Sequence, residues 1–317
     1  MRLCAVSVDL DEIPNYFAIH GHSVGTDTPV TAVYDVAVPR LLGLAKGQRI
    51  PLTFFAVGTD VLRAQAAQLL RGAHQAGHEI ANHTKSHRYD LVRLPREELC
   101  AEIQGGIRIL KEAIGEAPVG ARAPGYTVSD EYFRVLEELG VQYDSSVFPC
   151  PTYWVAKAAK VLAIRAQGRR SQSIVDTPAV LAAPTGPYRV GTPYWRRGVG
   201  LLELPIQVTR GLRLPFLGTS LTLAGPTGAR VLARMCVGEP LVNLELHGLD
   251  VLGKGDGLEG LEGHQPDVRI TVERKLETLQ GVIEELRDAG YKFVTLGEAA
   301  RVFAPAGHAA GAALRSP

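Results

Sequence analysis

The stretch His78-Glu79-Ile80-Ala81-Asn82-His83-Thr84-Lys85-Ser86-His87 decides the fold and the chemistry of this 317-residue chain. Residues 78–82 have the pattern of a short strand, and a His-x-x-x-His pair follows. On a helical turn, His83 and His87 would share one face with their side chains about 5–6 Å apart. Two imidazoles at this spacing suit a divalent metal that takes a carboxylate as third ligand and leaves one position to water. The sequence therefore predicts a metal site directly after a strand.

Two aspartates, Asp9 and Asp11, follow another apolar run at residues 3–8. On a regular strand they would share a face, so one could bind the metal while the other stays free as a general base. Acidic residues after a strand also cap helices or line solvated loops. Alone, the pair fits both interpretations.

Two further segments add a cation, a rigid turn and a third histidine. Arg122-Ala123-Pro124-Gly125-Tyr126 joins a guanidinium that could hold Asp9 ionised to a turn whose backbone N–H groups could bind an oxyanion. His247 ends the apolar run 241–246, where it could give a proton to a leaving amine, opposite a carboxylate such as Asp144. Taken singly, each segment equally predicts an ordinary turn or a capped core histidine.

Strand-like and helix-like patterns alternate along the chain, which indicates a parallel α/β architecture. Strands are predicted at 3–8, 52–57, 78–82, 119–122, 142–145, 241–246 and 293–296, and helices at 34–44, 60–76, 95–114 and 129–139. Each candidate residue follows a predicted strand, at the edge where β/α barrels build active sites. The sequence thus predicts one barrel domain over residues 1–303, with an insertion within about residues 150–240 and a disordered tail over residues 304–317.

The charge and hydropathy of the chain limit the kinds of molecule that it is expected to bind. The net charge of +1 favours neither nucleic acid nor an anionic membrane surface. No run approaches the ~18 apolar residues of a transmembrane helix, and the strand before Asp9 lacks the features of a secretory signal. We therefore expect a cytoplasmic protein, with room for peripheral membrane contact and for a homo-oligomer. The four scattered cysteines are expected to be reduced and buried, not a disulfide framework or a thiolate metal site.

In their order along the chain, these motifs resemble the polysaccharide deacetylase family, also called the NodB-homology or carbohydrate esterase 4 family. The resemblance spans residues 3–300 and rests on Asp9-Leu10-Asp11, Thr53-Phe54-Phe55, Gly77 to His87, Arg122 to Tyr126, Tyr143-Asp144-Ser145-Ser146 and Leu246-His247. It implies a distorted seven-stranded (β/α) barrel and a metal-dependent carbohydrate de-N-acylase, an amidohydrolase of the EC 3.5.1 type.

The resemblance also implies a role for each residue. It assigns the role of general base to Asp9 and the orientation of that base to Arg122. Asp11, His83 and His87 would bind a divalent metal, usually zinc, with other divalent ions as alternatives. His247 would be the general acid. In the mechanism expected from it, the Tyr126 backbone N–H binds the oxyanion and Asp144 orients His247.

Two departures from the family pattern concern the substrate. Leu10 separates aspartates that are usually adjacent, and Gly248 follows the late histidine where proline is usual. The spaced aspartates resemble an intracellular-type branch that includes a deformylase of lipid-linked arabinose, allantoinase-like ring-opening enzymes and deacetylases of exopolysaccharide loci. The expected substrate is an N-acetylated or N-formylated amino sugar, as a free, nucleotide-linked or lipid-linked molecule.

Two other functions stay open from the sequence. A compact polar pocket would favour ring-opening of a cyclic amide or imide, whereas an open groove lined by Tyr194 and Trp195 would favour a sugar. A carbohydrate-binding protein without catalysis is disfavoured because each catalytic position is filled. Arg196 and Arg197 could bind a substrate phosphate and residues 212–217 a lipid, although a solvated loop and an outer helix explain both segments equally.

Overall fold

The computed structural model describes residues 1–304 of the chain. The strands in this part are β1 (Arg2–Asp9), β2 (Thr53–Ala56), β3 (Glu79–Asn82), β4 (Gly120–Ala121), β5 (Tyr143–Asp144), β6 (Tyr188–Val190), β7 (Arg197–Glu203), β8 (Leu241–His247) and β9 (Tyr291–Phe293). The α-helices are α1 (Ile13–Ile19), α2 (Val38–Gln48), α3 (Gly58–Val61), α4 (Ala64–Gln75), α5 (Arg96–Ile114), α6 (Asp130–Glu138), α7 (Pro151–Ala166), α8 (Gly218–Cys236), α9 (Val272–Asp288) and α10 (Leu296–Phe303).

Seven strands within residues 1–304 form one continuous parallel path, in the order β7-β5-β4-β3-β2-β1-β8, and β9 runs parallel to β1 off this path. The segment after β7 closes part of the gap to β8, because the Gln207 N–H donates to the Asn243 carbonyl at 3.1 Å. The Asn243 amide in turn donates to the Leu204 carbonyl at 3.1 Å. β6 lies antiparallel outside β7, and β9 pairs with the start of β1. The sheet is a curled, distorted barrel, as predicted.

Strand β1 shows how the sequence divides the inside of the sheet from the outside. Its even-numbered residues, such as Val6 and Val8, are buried in the large cluster against the surrounding helices. Its odd-numbered residues face inward: Leu3 and Ala5 are apolar, and polar residues follow toward the end of the strand. Both faces are covered, which explains why strands of this kind are apolar runs without polar alternation. The switch from apolar to polar inside the sheet marks the edge where chemistry can be built.

Most predicted elements are present, with two local differences. The helix expected over residues 60–76 is two helices, α3 and α4, which are separated at Leu62 and Arg63. The strand expected at 293–296 instead spans Tyr291–Phe293, because Thr295 caps α10 with its side chain. The side chain of Ser129 caps α6 by accepting from the Tyr132 N–H at 3.2 Å.

Residues 150–240 contain α7, β6, β7 and α8, of which β7 belongs to the parallel barrel. The assignment of one domain to residues 1–303 stays a prediction. The predicted disordered tail lies outside the described residues, apart from Ala304. In the described part of the chain, no helix has both the length and the apolarity needed to span a bilayer. The four cysteines are free, as predicted: three are buried and Cys100 is half-buried.

Candidate active site

Strand register brings the candidate residues to one edge of the sheet. Asp9 at the end of β1 is paired with His247 at the end of β8. On the other side, Asn82 of β3 is aligned with Ala121 of β4, so that His83 and Arg122 leave their strands at the same level. The carboxyl ends of parallel strands thus converge, as is usual for sites in β/α proteins.

Three buried side chains, Asp11, His83 and His87, meet at this edge. The Asp11 Oδ1 lies 3.1 Å from His83 Nε2 and 3.0 Å from His87 Nε2. Despite these short distances, none of the three atoms has a hydrogen-bond partner of acceptable geometry. Burial acts to raise the pKa of Asp11, but the neighbouring His87 and His83 hold that pKa well below its ordinary value.

This arrangement fits a divalent metal. Ligand atoms at about 2.0 Å from a tetrahedral zinc ion are about 3.3 Å apart, close to the observed separations. His83 Nδ1 lies 2.8 Å from the Arg122 carbonyl, a contact in which Nδ1–H donates and Nε2 keeps its lone pair for a metal. Unsatisfied buried polar atoms are costly in a folded protein, and a shared cation would satisfy all three.

The histidine pair does not lie on a helical turn, contrary to the expectation from its spacing. Thr84 and His87 have positive φ angles of 66° and 56°, so the chain forms a tight loop after β3. The surrounding helices stabilise this loop: the Gly58 N–H donates to the Thr84 carbonyl at 3.0 Å. Gly106 of α5 approaches so closely that a Cβ there would lie 2.2 Å from Asn82 Oδ1. These tertiary contacts, and not a helix, set the 4.9 Å separation of the His83 and His87 rings.

Asp9 stands beside the triad and is held by Arg122. The fully buried guanidinium donates from Nη1 to Asp9 Oδ1 at 2.6 Å and from Nη2 to Ser7 Oγ at 2.9 Å. Burial opposes the charge on Arg122, yet Asp9 and Glu245 raise the pKa of the guanidinium above its ordinary value. The other Asp9 oxygen lies 3.8 Å from His83 Nε2, so this carboxylate faces the metal triad.

His247 lies between a buried glutamate and a tyrosine. Its Nδ1 is 3.0 Å from Glu245 Oε1, and its Nε2 is 3.2 Å from the Tyr126 hydroxyl. Burial lowers the pKa of His247, but Glu245 and Asp9 outweigh burial and raise that pKa to about 9. Glu245 was absent from the predicted site, although it lies two residues before His247 and therefore on the same face of β8.

Asp144 does not contact His247, contrary to expectation. Its Oδ1 accepts from the Tyr132 hydroxyl at 2.9 Å and from Ser146 Oγ at 3.0 Å. Ser146 Oγ accepts from the Ala123 N–H at 2.8 Å, so Asp144 supports the turn that follows Arg122. The Asp144 carboxylate is occupied by these donors, and His247 is paired with Glu245 of its own strand.

A cavity of about 280 Å³ opens beside these groups. The residues around it include Asp11, His247, Tyr16, Tyr89, Tyr126, Tyr153, Lys157 and Gly125. Pro124 is buried and does not line the cavity. The Tyr126 N–H, expected to bind an oxyanion, already donates to the Ala123 carbonyl at 3.1 Å. The side chain of Tyr126, and not its N–H, is the group that faces His247.

Two further expectations about the substrate side are not met by the structure, because neither Trp195 nor the arginine pair lines the cavity. Trp195 packs against Tyr194 at a ring separation of 5.0 Å and does not line the cavity. Arg197 is the first residue of β7 and lies about 20 Å from the last residue of that strand, which is the end near the site. Neither Arg197 nor its exposed neighbour Arg196 lines the cavity. In the segment 212–217, Leu212 is exposed, Phe216 is buried and Leu217 lines the cavity, so contact of this segment with a lipid stays a prediction.

Comparison with known proteins gives sequence matches over part of the chain. A family model described as polysaccharide deacetylase matches residues 27–143, which include His83, His87 and Arg122. A peptidoglycan deacetylase of Helicobacter pylori is 26% identical over 147 residues, covering 46% of this chain and 49% of the relative. A chitooligosaccharide deacetylase of a Bradyrhizobium species is 38% identical over 87 residues, covering 27% of this chain and 38% of the relative. The chain thus spans half or less of the length of these relatives.

Solved structures match over nearly the whole chain. A crystal structure from Mycobacterium smegmatis, assigned to the polysaccharide deacetylases, has a TM-score of 0.51 at 22% identity and 93% coverage of both chains. A carbohydrate esterase 4 family pseudoenzyme of Bacillus anthracis has a TM-score of 0.50 at 13% identity, covering 94% of this chain and 65% of the other. At these identities the likeness shows the fold.

Proposed function

We propose that the chain is a member of the polysaccharide deacetylase family, whose model matches residues 27–143, and that it is a metal-dependent hydrolase that removes an N-acetyl or N-formyl group from an amino sugar. The observation that carries this proposal is the set of unsatisfied ligand atoms on Asp11, His83 and His87 beside the Asp9–Arg122 pair. A binding protein would have no need for a carboxylate held by a buried guanidinium next to such a triad.

Asp11, His83 and His87 would hold the metal, and two imidazoles with a carboxylate are a donor set that catalytic zinc sites use. When bound, a divalent cation supplies Lewis-acid polarisation of the acyl carbonyl and makes water a better nucleophile near neutral pH. The role of the protein is to position proton-transfer groups around that centre.

Asp9 takes the proton from the attacking water. Its Oδ1 accepts from Arg122 Nη1 at 2.6 Å, and its Oδ2 lies 3.8 Å from His83 Nε2 and thus faces the triad. Arg122 has further acceptors in the Ser145 carbonyl at 2.6 Å and in Ser7 Oγ, so the guanidinium cannot rotate away. A fixed carboxylate of this kind is a suitable general base.

His247 gives a proton to the departing amine. It is protonated at neutral pH because its pKa is raised by Glu245 and Asp9. The Tyr126 hydroxyl, at 3.2 Å from Nε2, orients the imidazole from the cavity side. The base and the acid are neighbours, because ligand atoms of Asp9 and His247 lie within 4.8 Å of each other. Both can therefore serve an amide that is bound beside the triad.

The cavity suits a single sugar unit. Its volume of about 280 Å³ is at the lower end for small-molecule sites. Tyrosine faces from several elements line it, and aromatic faces of this kind pack against the apolar face of a sugar ring. The nucleotide or lipid linkage, the cytoplasmic location and a homo-oligomeric state stay predictions.

The test is a substrate panel with the purified, zinc-loaded protein. We expect release of acetate or formate from N-acyl amino sugars, and loss of that activity after chelation that readdition of zinc reverses. The panel includes allantoin and a cyclic imide, because a compact cavity also admits a small ring. Ring-opening without release from any N-acyl sugar would replace the proposed reaction, and sugar binding without any hydrolysis would remove the enzymatic function.

Glu245→Gln is expected to move the alkaline limb of the kcat/KM profile to lower pH by about one unit. The glutamate charge raises the pKa of His247, so its removal deprotonates the acid at a lower pH. The measurement is the pH dependence of kcat/KM, with the exposed Glu116→Gln as the matched control. An unshifted alkaline limb would mean that His247 is not the group whose protonation limits the reaction.

A further inference from the structure

One face of α7 forms a wall of the cavity and continues to its mouth. Tyr153, Lys157 and Lys160 are spaced four and three residues apart, which places them on one side of the helix. Tyr153 and Lys157 line the cavity that Asp11 and His247 also line. Lys160 lies one turn further out, where its Nζ donates to the His264 carbonyl at 3.0 Å.

The Lys157 ammonium has little compensation in the protein. Its Nζ donates to the Gly125 carbonyl at 2.7 Å, which uses one of three N–H donors. No carboxylate oxygen of residues 1–304 lies within the 4.0 Å that defines an ion pair. Burial lowers the pKa of Lys157 to about 8, although Asp176 partly opposes this effect. A confined ammonium with free donors is a group that a bound anion would complete.

More positive charge lies beside the mouth. Arg169, in the segment after α7, donates to the His20 carbonyl at 3.1 Å and contacts the His22 ring. His22 packs on His264 at a ring separation of 4.1 Å, and Gln265, the residue after His264, lines the cavity. Burial, together with Lys160 and these neighbours, lowers the pKa of His20 to about 3. Lys160 and Arg169 thus place positive charge next to the residues that adjoin Ile19 and Gln265 of the cavity lining.

We propose that Lys157, with Lys160 further out, binds an anionic group of the substrate, so that the preferred amino sugar carries a phosphate or a carboxylate. This inference rests on the proposed function and narrows its substrate class. The metal triad would take the acyl end of the molecule, and Lys157 would take the anionic substituent on another wall of the same 280 Å³ cavity. Phosphate and carboxylate oxygens share the chemistry that an ammonium recognises.

A purely structural role for Lys157 makes a different prediction. Its bond to the Gly125 carbonyl could simply hold the turn in which Gly125 has a φ of 63°. That turn carries Tyr126, which contacts His247. In that case loss of the ammonium would impair neutral and anionic substrates to the same extent.

The experiment compares kcat and KM for N-acetylglucosamine with those for its 1-phosphate, its 6-phosphate and N-acetylmuramic acid. The zinc-loaded variants are Lys157→Met, Lys157→Arg and, as a matched control on the surface of α5, Lys111→Met. We expect the wild type to favour one anionic sugar over the neutral one by about 10-fold or more in kcat/KM. In Lys157→Met this preference should collapse toward unity, mainly through KM, whereas Lys157→Arg should retain most of it.

The comparison of the neutral, phosphorylated and carboxylated sugars distinguishes the possible outcomes. Preference for a phosphorylated sugar identifies phosphate as the anion, and preference for N-acetylmuramic acid identifies a carboxylate. An equal loss for neutral and anionic sugars in Lys157→Met, or a wild type without preference, overturns the inference while the hydrolase function stands.

Calorimetry with glucosamine and glucosamine 6-phosphate tests binding without turnover. If no acyl sugar is hydrolysed, the proposed reaction fails. Even then, the anion site would be established if the wild type binds glucosamine 6-phosphate more tightly than glucosamine and Lys157→Met does not. Equal binding of the two amines, with no anionic preference in turnover, overturns that site.

Discussion

His87→Ala is expected to lose its metal and nearly all of its activity while the barrel stays folded. The substitution leaves Asp11 and His83 as a two-residue site, and a catalytic zinc site usually needs three protein ligands. The His87 ring is buried against Tyr89, so its truncation costs some packing, but neither ring nitrogen has a hydrogen-bond partner that the substitution would leave unpaired. The metal content after gel filtration and the rate of acyl release measure the two effects.

Thermal unfolding with and without chelator gives an independent readout. A ligand present at 1,000 times its Kd stabilises the native state by about 4 kcal/mol. We expect the wild type to lose this increment after chelation, and His87→Ala to melt near the metal-free wild type in both conditions. His74→Ala is the matched control, because His74 is a half-buried histidine whose carboxylate neighbour is Glu116 at 3.4 Å. Stoichiometric zinc in a folded His87→Ala variant would remove His87 from the site.

The barrel could be predicted from the sequence because parallel strands carry a strong local signal. In β1 and β8, apolar runs end in a charged or ionisable residue, and both residues lie at the rim. Once the alternation of strands and helices indicates a parallel sheet, these strand ends must meet at one edge. The proximity of Asp9, His83, Arg122 and His247 followed from topology, without knowledge of any side-chain contact.

The local geometry could not be predicted in the same way. The loop that carries His83 and His87 takes its shape from hydrogen bonds to α3 and α5, which are contacts distant in sequence. A spacing of four residues suggests a helix only where such contacts are absent. The sequence therefore indicated two histidines that the fold brings together with Asp11, but it indicated the wrong backbone conformation for them.

The partner of His247 was missed for a different reason. Asp144 belongs to a recognisable motif, but its carboxylate is occupied by Tyr132 and Ser146. Glu245 lies inside an apolar run, and a charged residue within such a strand indicates a buried functional or paired group, which could have identified it. Lys157 had no such signal, because α7 has no repeating charge pattern and only the folded structure shows which of its faces lines the cavity.

Asp9→Asn is expected to lower turnover by ~10²–10⁴ while the metal content stays near that of the wild type. The amide is nearly isosteric and can still accept a hydrogen bond from Arg122, but it cannot take a proton from water. Because no proton acceptor remains at this position, raising the pH should not restore the rate. The measurement combines kcat, metal content and a pH profile, with the exposed Asp35→Asn as control.

Asp9→Asn should also affect stability, and this effect separates the roles of Asp9. Arg122 is fully buried and Asp9 is its carboxylate partner at 2.6 Å, so the variant leaves a buried cation without its counter-charge. Breaking a buried ion pair costs about 3–5 kcal/mol, and the retained hydrogen bond should keep the loss at the lower end. Joint loss of metal and turnover would make Asp9 a ligand, which its 3.8 Å approach to His83 would permit. Normal turnover in a destabilised protein would leave Asp9 as the counter-ion of Arg122 alone, and the general base would have to be sought elsewhere along the same rim.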